Sequence, residues 1–198
     1  MKYEMRGVFM DISIDLSNIT LETDRLLLRP WQEADLNDLY EYASVEGVGE
    51  RAGWRHHQSI EESKAILQSF ISGKNVFALV YKENNKVIGS LGLHRSWAND
   101  DSNYADLTVK EIGYVLSKDY WGKGLMPEAV KEVIRFCFKE CNLDAVTIGH
   151  FTFNNQSRRV IEKCGFRFVK NSEFYAKHLE VTYDDMKYIL FKEDSDLI

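Results

Sequence analysis

Apolar positions along the chain switch between two periods, and the switches mark out its elements. Arg25-Leu-Leu-Leu-Arg-Pro-Trp31 reads as a strand, and residues 33–44 then set Ala34, Leu36, Leu39, Tyr40 and Ala43 at helical spacing. Ser59-Ile-Glu-Glu62 pairs a capping serine with a glutamate three residues on. It opens a helix through Ile66, Leu67, Phe70 and Ile71 that stops at Gly73. Residues 76–81 and 87–94 are apolar runs joined by Lys82-Glu-Asn-Asn-Lys86, whose asparagines tolerate left-handed geometry, so they predict a hairpin. Residues 96–106 are polar and predict a surface loop. A strand follows at 111–117. Met126, Val130, Val133, Ile134, Cys137 and Cys141 then recur at 3.6 spacing in one long amphipathic helix beginning at about Pro127. A β-rich run at 144–151, a short helix over 154–164 ended by Gly165, and strands at 166–169 and 182–192 complete the chain.

Strands on both sides of a strand-helix-strand unit predict an α+β or mixed α/β fold, a sheet with helices on its faces. The strands at 111–117 and 144–151 are linked by a helix and should be parallel neighbours. Residues 1–20 alternate weakly, as in Val8, Met10, Ile12, Ile14 and Leu16, and form either an extra edge strand or a poorly ordered extension. The expected organisation is therefore that extension followed by a single domain over 21–198.

Composition narrows the function. With 198 residues, 44% of them hydrophobic and 13% aromatic, the chain can bury one real core. No apolar run approaches the roughly 18 residues of a membrane span, and Glu4, Arg6, Asp11 and Asp15 interrupt any signal core, so a cytoplasmic protein without a membrane partner is expected. The formal net charge of −6 argues against nucleic acid and favours a cationic partner. Cys137, Cys141 and Cys164 are odd in number and include no Cys-x-x-Cys, which argues against a disulfide framework. Cys137 and Cys141 share the apolar face of a helix and His56-His57 reads as a polar loop, so no metal is expected.

The chemistry concentrates between Val109 and Phe166, where strand, glycine turn, helix, strand and an Asn/Ser helix follow in an order that reads as an acyl-coenzyme A site. Amides at a helix start are donors without partners and the peptide dipoles add positive potential, so the Gly122-Lys123-Gly124 turn suits a phosphate or pyrophosphate. A dinucleotide site competes for the same turn, because Asp144 lies where a ribose-binding acid belongs. Its third glycine, however, is replaced by Pro127. No Gly-x4-Gly-Lys-Ser/Thr occurs, which excludes a P-loop.

Glu111-Ile-Gly-Tyr114, Trp121-Gly-Lys-Gly-Leu-Met126, and Asn154-x-x-Ser157 followed by Glu162-Lys-Cys-Gly-Phe166 together resemble the GNAT superfamily of N-acetyltransferases. The opening Thr23-Asp-Arg-Leu-Leu-Leu-Arg-Pro30 looks like its ribosomal-protein N-terminal acetyltransferase branch, and the resemblance runs from about Leu21 to Lys192. It implies a mixed, mostly antiparallel sheet of about seven strands, with a parallel splayed pair in the middle and helices on both faces. It also implies a pyrophosphate held by the backbone of Trp121, Gly122, Lys123, Gly124, Leu125 and Met126. Trp121 and Met126 depart from the family pattern of Arg or Gln at the first position and Gly or Ala at the last. The pantetheine arm would run along Val115 and Leu116, with Asn154 beside it, a residue that could also cap the helix at the same time.

By the same resemblance, Glu111 matches a strand glutamate that serves as base, often through water, although a glutamate there could simply face solvent or pair with a lysine. The tyrosine that many members use to protonate the thiolate is Ile161 here. Ser157 resembles the serine assigned to that thiolate in the ribosomal-protein branch, and Tyr114, Tyr183 and Tyr188 are further hydroxyls within the same region. The implied reaction is direct transfer from acetyl-CoA, the co-substrate, to an amine, with no metal. Cys164 has no histidine near it in sequence to make it a nucleophile. The branch favours a protein N-terminal α-amine. A polyamine, an aminoglycoside or a catalytically silent acyl-CoA-binding module stand as alternatives, and a homodimer is left open.

Overall fold

The structure, a computed structural model, describes residues 11–197. Eight strands form one sheet in the order β1-β2-β3-β4-β5-β6-β8-β7. They are β1 (Leu21–Glu22), β2 (Leu26–Pro30), β3 (Val76–Tyr81), β4 (Lys86–His94), β5 (Val109–Leu116), β6 (Ala145–Phe151), β7 (Arg167–Ala176) and β8 (Val181–Phe191). The helices are α1 (Leu36–Ala43), α2 (Ile60–Gly73), α3 (Leu125–Lys139) and α4 (Asn155–Lys163). The strand beyond the expected seven is β1, a two-residue piece paired antiparallel with β2.

Local chemistry explains most of the boundaries. The Ser59 hydroxyl accepts the Glu62 amide at 3.2 Å, a cap worth about 1 kcal/mol, and Lys74 ends α2 in the left-handed region at φ 55°. Asn85 makes the β3–β4 turn at φ 58°. Helix α3 starts at Leu125, two residues before the expected proline. Gly124 caps it at φ 76°, and Pro127 sits in the first turn, where a missing N–H costs nothing.

Two stretches differ from the sequence reading, for one physical reason: polar composition hid structure. The predicted surface loop at 96–106 contains 3-10 turns at Trp97–Asp100 and Ser102–Tyr104, with Ser96, Ala98 and Asn99 buried. Their polar groups satisfy one another and the sheet: the Ser96 amide donates to Asn99 Oδ1 at 2.8 Å, and the Ser96 and Thr147 hydroxyls share a hydrogen bond of 2.7 Å. Strand β7 does not end near Val169 but continues to Ala176 as an exposed edge paired with β8. Residues 11–20 form no strand. Leu16 is buried in the core with its amide on the Lys74 carbonyl at 2.7 Å, and Asp11 pairs with Lys110 at 2.7 Å. The remainder of that alternating stretch, residues 1–10, lies outside the described residues.

The sheet carries a core on each face. On one, Ile112, Leu116, Val146, Ile148 and Leu190 pack with α3 and with Ile161 of α4. On the other, Val76, Ala78, Val80 and Val87 pack with α1 and Leu67 of α2. Every neighbouring pair of strands is antiparallel except β5 and β6. These two run parallel through only three rungs, Val109 with Ala145, Lys110 with Val146 and Glu111 with Thr147, and then part.

Candidate active site

Where β5 leaves β6, a cleft of about 410 Å³ opens through the middle of the sheet. Because side chains alternate along a strand, Glu111, Gly113 and Val115 belong to the face bearing α1 and α2, whereas Ile112, Tyr114 and Leu116 belong to the face bearing α3 and α4. The cleft therefore has two differently furnished walls.

On the α3 side the wall is backbone. Gly122 and Gly124 both hold φ of 76°, a left-handed conformation that glycine takes without steric cost, and a Cβ at Gly122 would meet nothing within 4 Å. The amides of Gly122, Lys123, Gly124, Leu125 and Met126 donate to no acceptor among the described residues, while the Leu125 and Met126 side chains are buried in the core below. Five free donors beside an open approach at a helix start make an anion cradle. A clasp from the start of the chain fixes it. Arg25 Nη1 donates to the Lys123 carbonyl at 2.9 Å, Arg25 Nε donates to Glu128 Oε2 at 2.7 Å, and the Thr23 hydroxyl donates to Glu128 Oε1 at 2.6 Å. The Trp121 indole donates to the Leu116 carbonyl at 2.8 Å, tying the turn to the end of β5, and Arg51 lies over its ring at 5.4 Å. Val115 and Leu116 both line the cleft.

The hydroxyl expected from the sequence lies on this side too. Ser157 is buried in the first turn of α4, and its Oγ is 2.8 Å from the Tyr114 hydroxyl. Burial pushes the Tyr114 phenol up, so at neutral pH it is a proton donor. Tyr188 instead shares a hydrogen bond with His150 Nε2 at 3.1 Å, and Tyr183 packs among Phe151 and Phe153. Asn154 uses both ends of its amide, accepting from the Ser157 amide at 3.2 Å and donating to the Arg51 carbonyl at 3.1 Å. It caps α4 and also pins the 49–52 turn across the cleft.

The opposite wall is built of side chains from separated strands. Glu111 is 22% exposed; its Oε2 accepts weakly from the Trp97 amide and the Thr147 hydroxyl, each at 3.4 Å. Its Oε1 lies 3.6 Å from Lys187 Nζ, which is 2.7 Å from Asp185 Oδ2. Burial pushes the Glu111 carboxyl above the usual carboxylate range, Lys187 pulls it back and Asp185 adds to the rise. A carboxyl raised by burial and within reach of solvent is a better proton acceptor than a free one. Beyond it Phe151 and Phe174 line the cleft mouth at 5.5 Å between ring centres.

The structure brings the glycine turn, Glu111, Ser157 and Asn154 singled out in the sequence to one cleft, together with Tyr114 from among the candidate hydroxyls. Sequence reasoning missed Lys187, whose only signal is its place two residues after Asp185 on one strand face, and it missed Arg51. Cys164 is buried in the core beneath α3 and α4, and burial pushes its thiol up to about 12, so little of it is thiolate at neutral pH. His56 and His57 lie in the loop before α2, where His57 is buried and shares a 2.6 Å hydrogen bond with Ser63 and His56 Nδ1 lies 2.8 Å from Glu50 Oε1. Among the described residues no group of three or more His, Cys, Asp or Glu is placed to hold a metal, and no helix is long and apolar enough to cross a membrane.

Residues 25–167 match the family model described as an acetyltransferase (GNAT) domain. The chain is 25% identical over 181 residues to YoaA, an uncharacterized N-acetyltransferase of Bacillus subtilis (strain 168), covering 87% of this chain and 96% of the relative. A GNAT-family acetyltransferase from Bacillus anthracis superposes with a TM-score of 0.75 at 23% identity, covering 88% of this chain and 99% of that one. The ribosomal-protein-S5-alanine acetyltransferase from Vibrio fischeri superposes with a TM-score of 0.68 at 21% identity, over 89% and 98%. At these identities the structural likeness is one of fold.

Proposed function

The chain belongs to the GNAT acetyltransferases, and from that premise we propose that it acetylates the α-amine of a protein N-terminus, with Glu111 as base and Ser157, backed by Tyr114, as acid. It is an N-acetyltransferase that uses acetyl-CoA. That co-substrate brings an acetyl group already activated as a thioester. The free amides from Gly122 to Met126 would hold its pyrophosphate, and Val115, Leu116, Trp121 and Asn154 would flank the arm.

One observation carries the division of labour: Glu111 and the Tyr114–Ser157 pair lie on opposite faces of the same strand, at the point where that strand parts from β6. Glu111, directly or through a water, takes a proton from the incoming ammonium so that the nitrogen lone pair can form the new C–N bond. On the other face, as the C–S bond breaks, Ser157 Oγ gives a proton to the leaving sulfur while the Tyr114 hydroxyl supports it, and the second proton, shed by the nitrogen as it becomes an amide, restores the serine hydroxyl through solvent. No covalent intermediate on the protein is needed. An α-amine, with a pKa near 8, asks little of such a base, whereas a lysine amine near 10.4 asks far more.

Charge supports a singly charged acceptor. The ionic cluster of the amine wall sets Glu111 and Asp185 against Lys187, about one net negative charge, with Arg51 further along the cleft. A polyamine or aminoglycoside would be better served by several unpaired carboxylates. The spermidine N-acetyltransferase from Vibrio cholerae, in complex with CoA and spermine, shares the fold at a TM-score of 0.69 and 15% identity, so the fold does not decide the acceptor and the charge pattern has to. The test is thiol release from acetyl-CoA against peptides with free N-termini, their N-blocked forms, polyamines and aminoglycosides. Turnover with free but not blocked peptides is expected. Faster turnover of polyamines would replace the acceptor, and tight CoA binding with no amine turned over would make the chain a silent acyl-CoA-binding module.

A further inference from the structure

Lys187 lies between two carboxylates on the amine wall, and three strands are shaped around it. β8 presents Asp185 and Lys187 two residues apart on one face, with side chains only 6% and 13% exposed. To reach Glu111 on β5 the lysine must cross β6, and it does so over Gly149, its own partner in the β6–β8 register. A Cβ at Gly149 would come within 3.0 Å of Asp185 Oδ1, 3.2 Å of the Met186 carbonyl and 3.4 Å of Lys187 Cδ. A side chain there would ask the pair and the Met186 carbonyl to give by a few tenths of an ångström, so glycine allows the closest approach.

The result is a carboxylate held from two directions. Glu111 Oε1 faces the ammonium at 3.6 Å, while Oε2 faces the neutral Trp97 amide and Thr147 hydroxyl. The ammonium commits to Asp185 at 2.7 Å and only leans toward Glu111. Other charged or titratable groups around it include His94, the cross-strand partner on β4, whose imidazole burial and Lys110 keep toward neutral, and, lining the same cleft, Arg51 on the 49–52 turn, His150 on β6, and Arg159 and Lys163 on α4.

We infer that Lys187, anchored on Asp185 over Gly149, is a positioning residue: it holds the Glu111 carboxylate toward the cleft and sets the pH at which that group loses its proton. Asp185 keeps the lysine from closing onto Glu111 and quenching it. Without Lys187 the two carboxylates face each other, and Glu111 keeps its proton to a higher pH. Without Asp185 the ammonium moves fully to Glu111, which ionises earlier and accepts protons less readily. The consequence for catalysis rests on the reading of Glu111 as base; the effect on its ionisation does not.

The experiment follows the Glu111 carboxyl by ¹³C NMR through a pH titration, assigning its resonance by its loss in Glu111→Gln. Lys187→Met should raise the titration midpoint by about one pH unit or more, and Asp185→Asn should lower it. Lys187→Arg should leave it near the parent. Midpoints within a few tenths of the parent in Lys187→Met, in protein that still binds CoA and keeps its circular dichroism, would overturn the inference. If Lys187→Met does not fold, Asp185→Asn decides alone, and an unmoved or raised midpoint there overturns it. The acidic limb of kcat/KM is measured in parallel. Midpoints that shift as expected while that limb stays put, or while no amine is acetylated, would remove the base assignment and leave the positioning role standing.

Discussion

The two walls of the cleft meet along β5 but are made of different material. The α3 wall is backbone from one unbroken stretch, residues 122–126, and side-chain identity matters there mainly where φ is positive. The opposite wall is side chains, Glu111 from β5, Thr147 from β6, and Asp185 and Lys187 from β8, brought together only by strand register. On the proposed reading the backbone stretch, beside the Ser157–Tyr114 pair, would hold what every acetyl-CoA has in common, and the opposite wall, which can be rewritten one residue at a time, would set the acceptor.

Glu111→Gln tests that contrast hardest. It keeps size and hydrogen bonding but cannot take a proton, so kcat/KM should fall by roughly 10²–10⁴ with CoA affinity unchanged. The Glu111 carboxyl lies above the usual range, so in the parent the basic form is lost as pH falls through that raised value. The variant loses this limb, and its deficit shrinks at high pH, where the acceptor amine is already neutral. Parental kinetics from pH 6 to 9 would remove Glu111 from the reaction. Gly124→Asp attacks the other wall. A non-glycine residue at φ 76° is strained and the added carboxylate repels a pyrophosphate, so the CoA dissociation constant should rise by about two orders of magnitude, measured by calorimetry. Unchanged binding in folded protein would move the anion site elsewhere. The smallest effect is expected on the hydroxyl pair. Ser157→Ala and Tyr114→Phe should each lower kcat about tenfold while leaving the pH dependence intact, and a shifted pH limb in either would give that pair a share of the base's role.

The same contrast explains what the chain disclosed before folding. The amphipathic period of α3, the Ser59 cap, the glycine turn and the parallel β5–β6 pair are local or nearly local patterns, and all were legible. Ser157 and Glu111 could be picked out by motif. Their hydrogen-bond partners could not, because Tyr114 meets Ser157 across 43 residues and Lys187 meets Glu111 through a strand order in which β8 inserts beside β6 ahead of β7. Polarity misled where buried polar groups bond one another, as at Ser96 and Asn99, and where an edge strand faces solvent, as in the second half of β7.

The clasp on the glycine turn carries a consequence in time. Thr23 and Arg25 lie 98 to 105 residues before the groups they hold, Lys123 and Glu128. At synthesis rates of roughly 5–20 residues per second, the two halves leave the ribosome about 5–20 s apart. The turn's amides can take their final aim only after β2 has docked and one of the long chain loops of the domain has closed. Although the motif occupies six consecutive residues, its stiffness is a late, long-range product of folding. A nicked or truncated chain lacking its first strands would carry every residue of the signature without the Thr23 and Arg25 contacts that fix it.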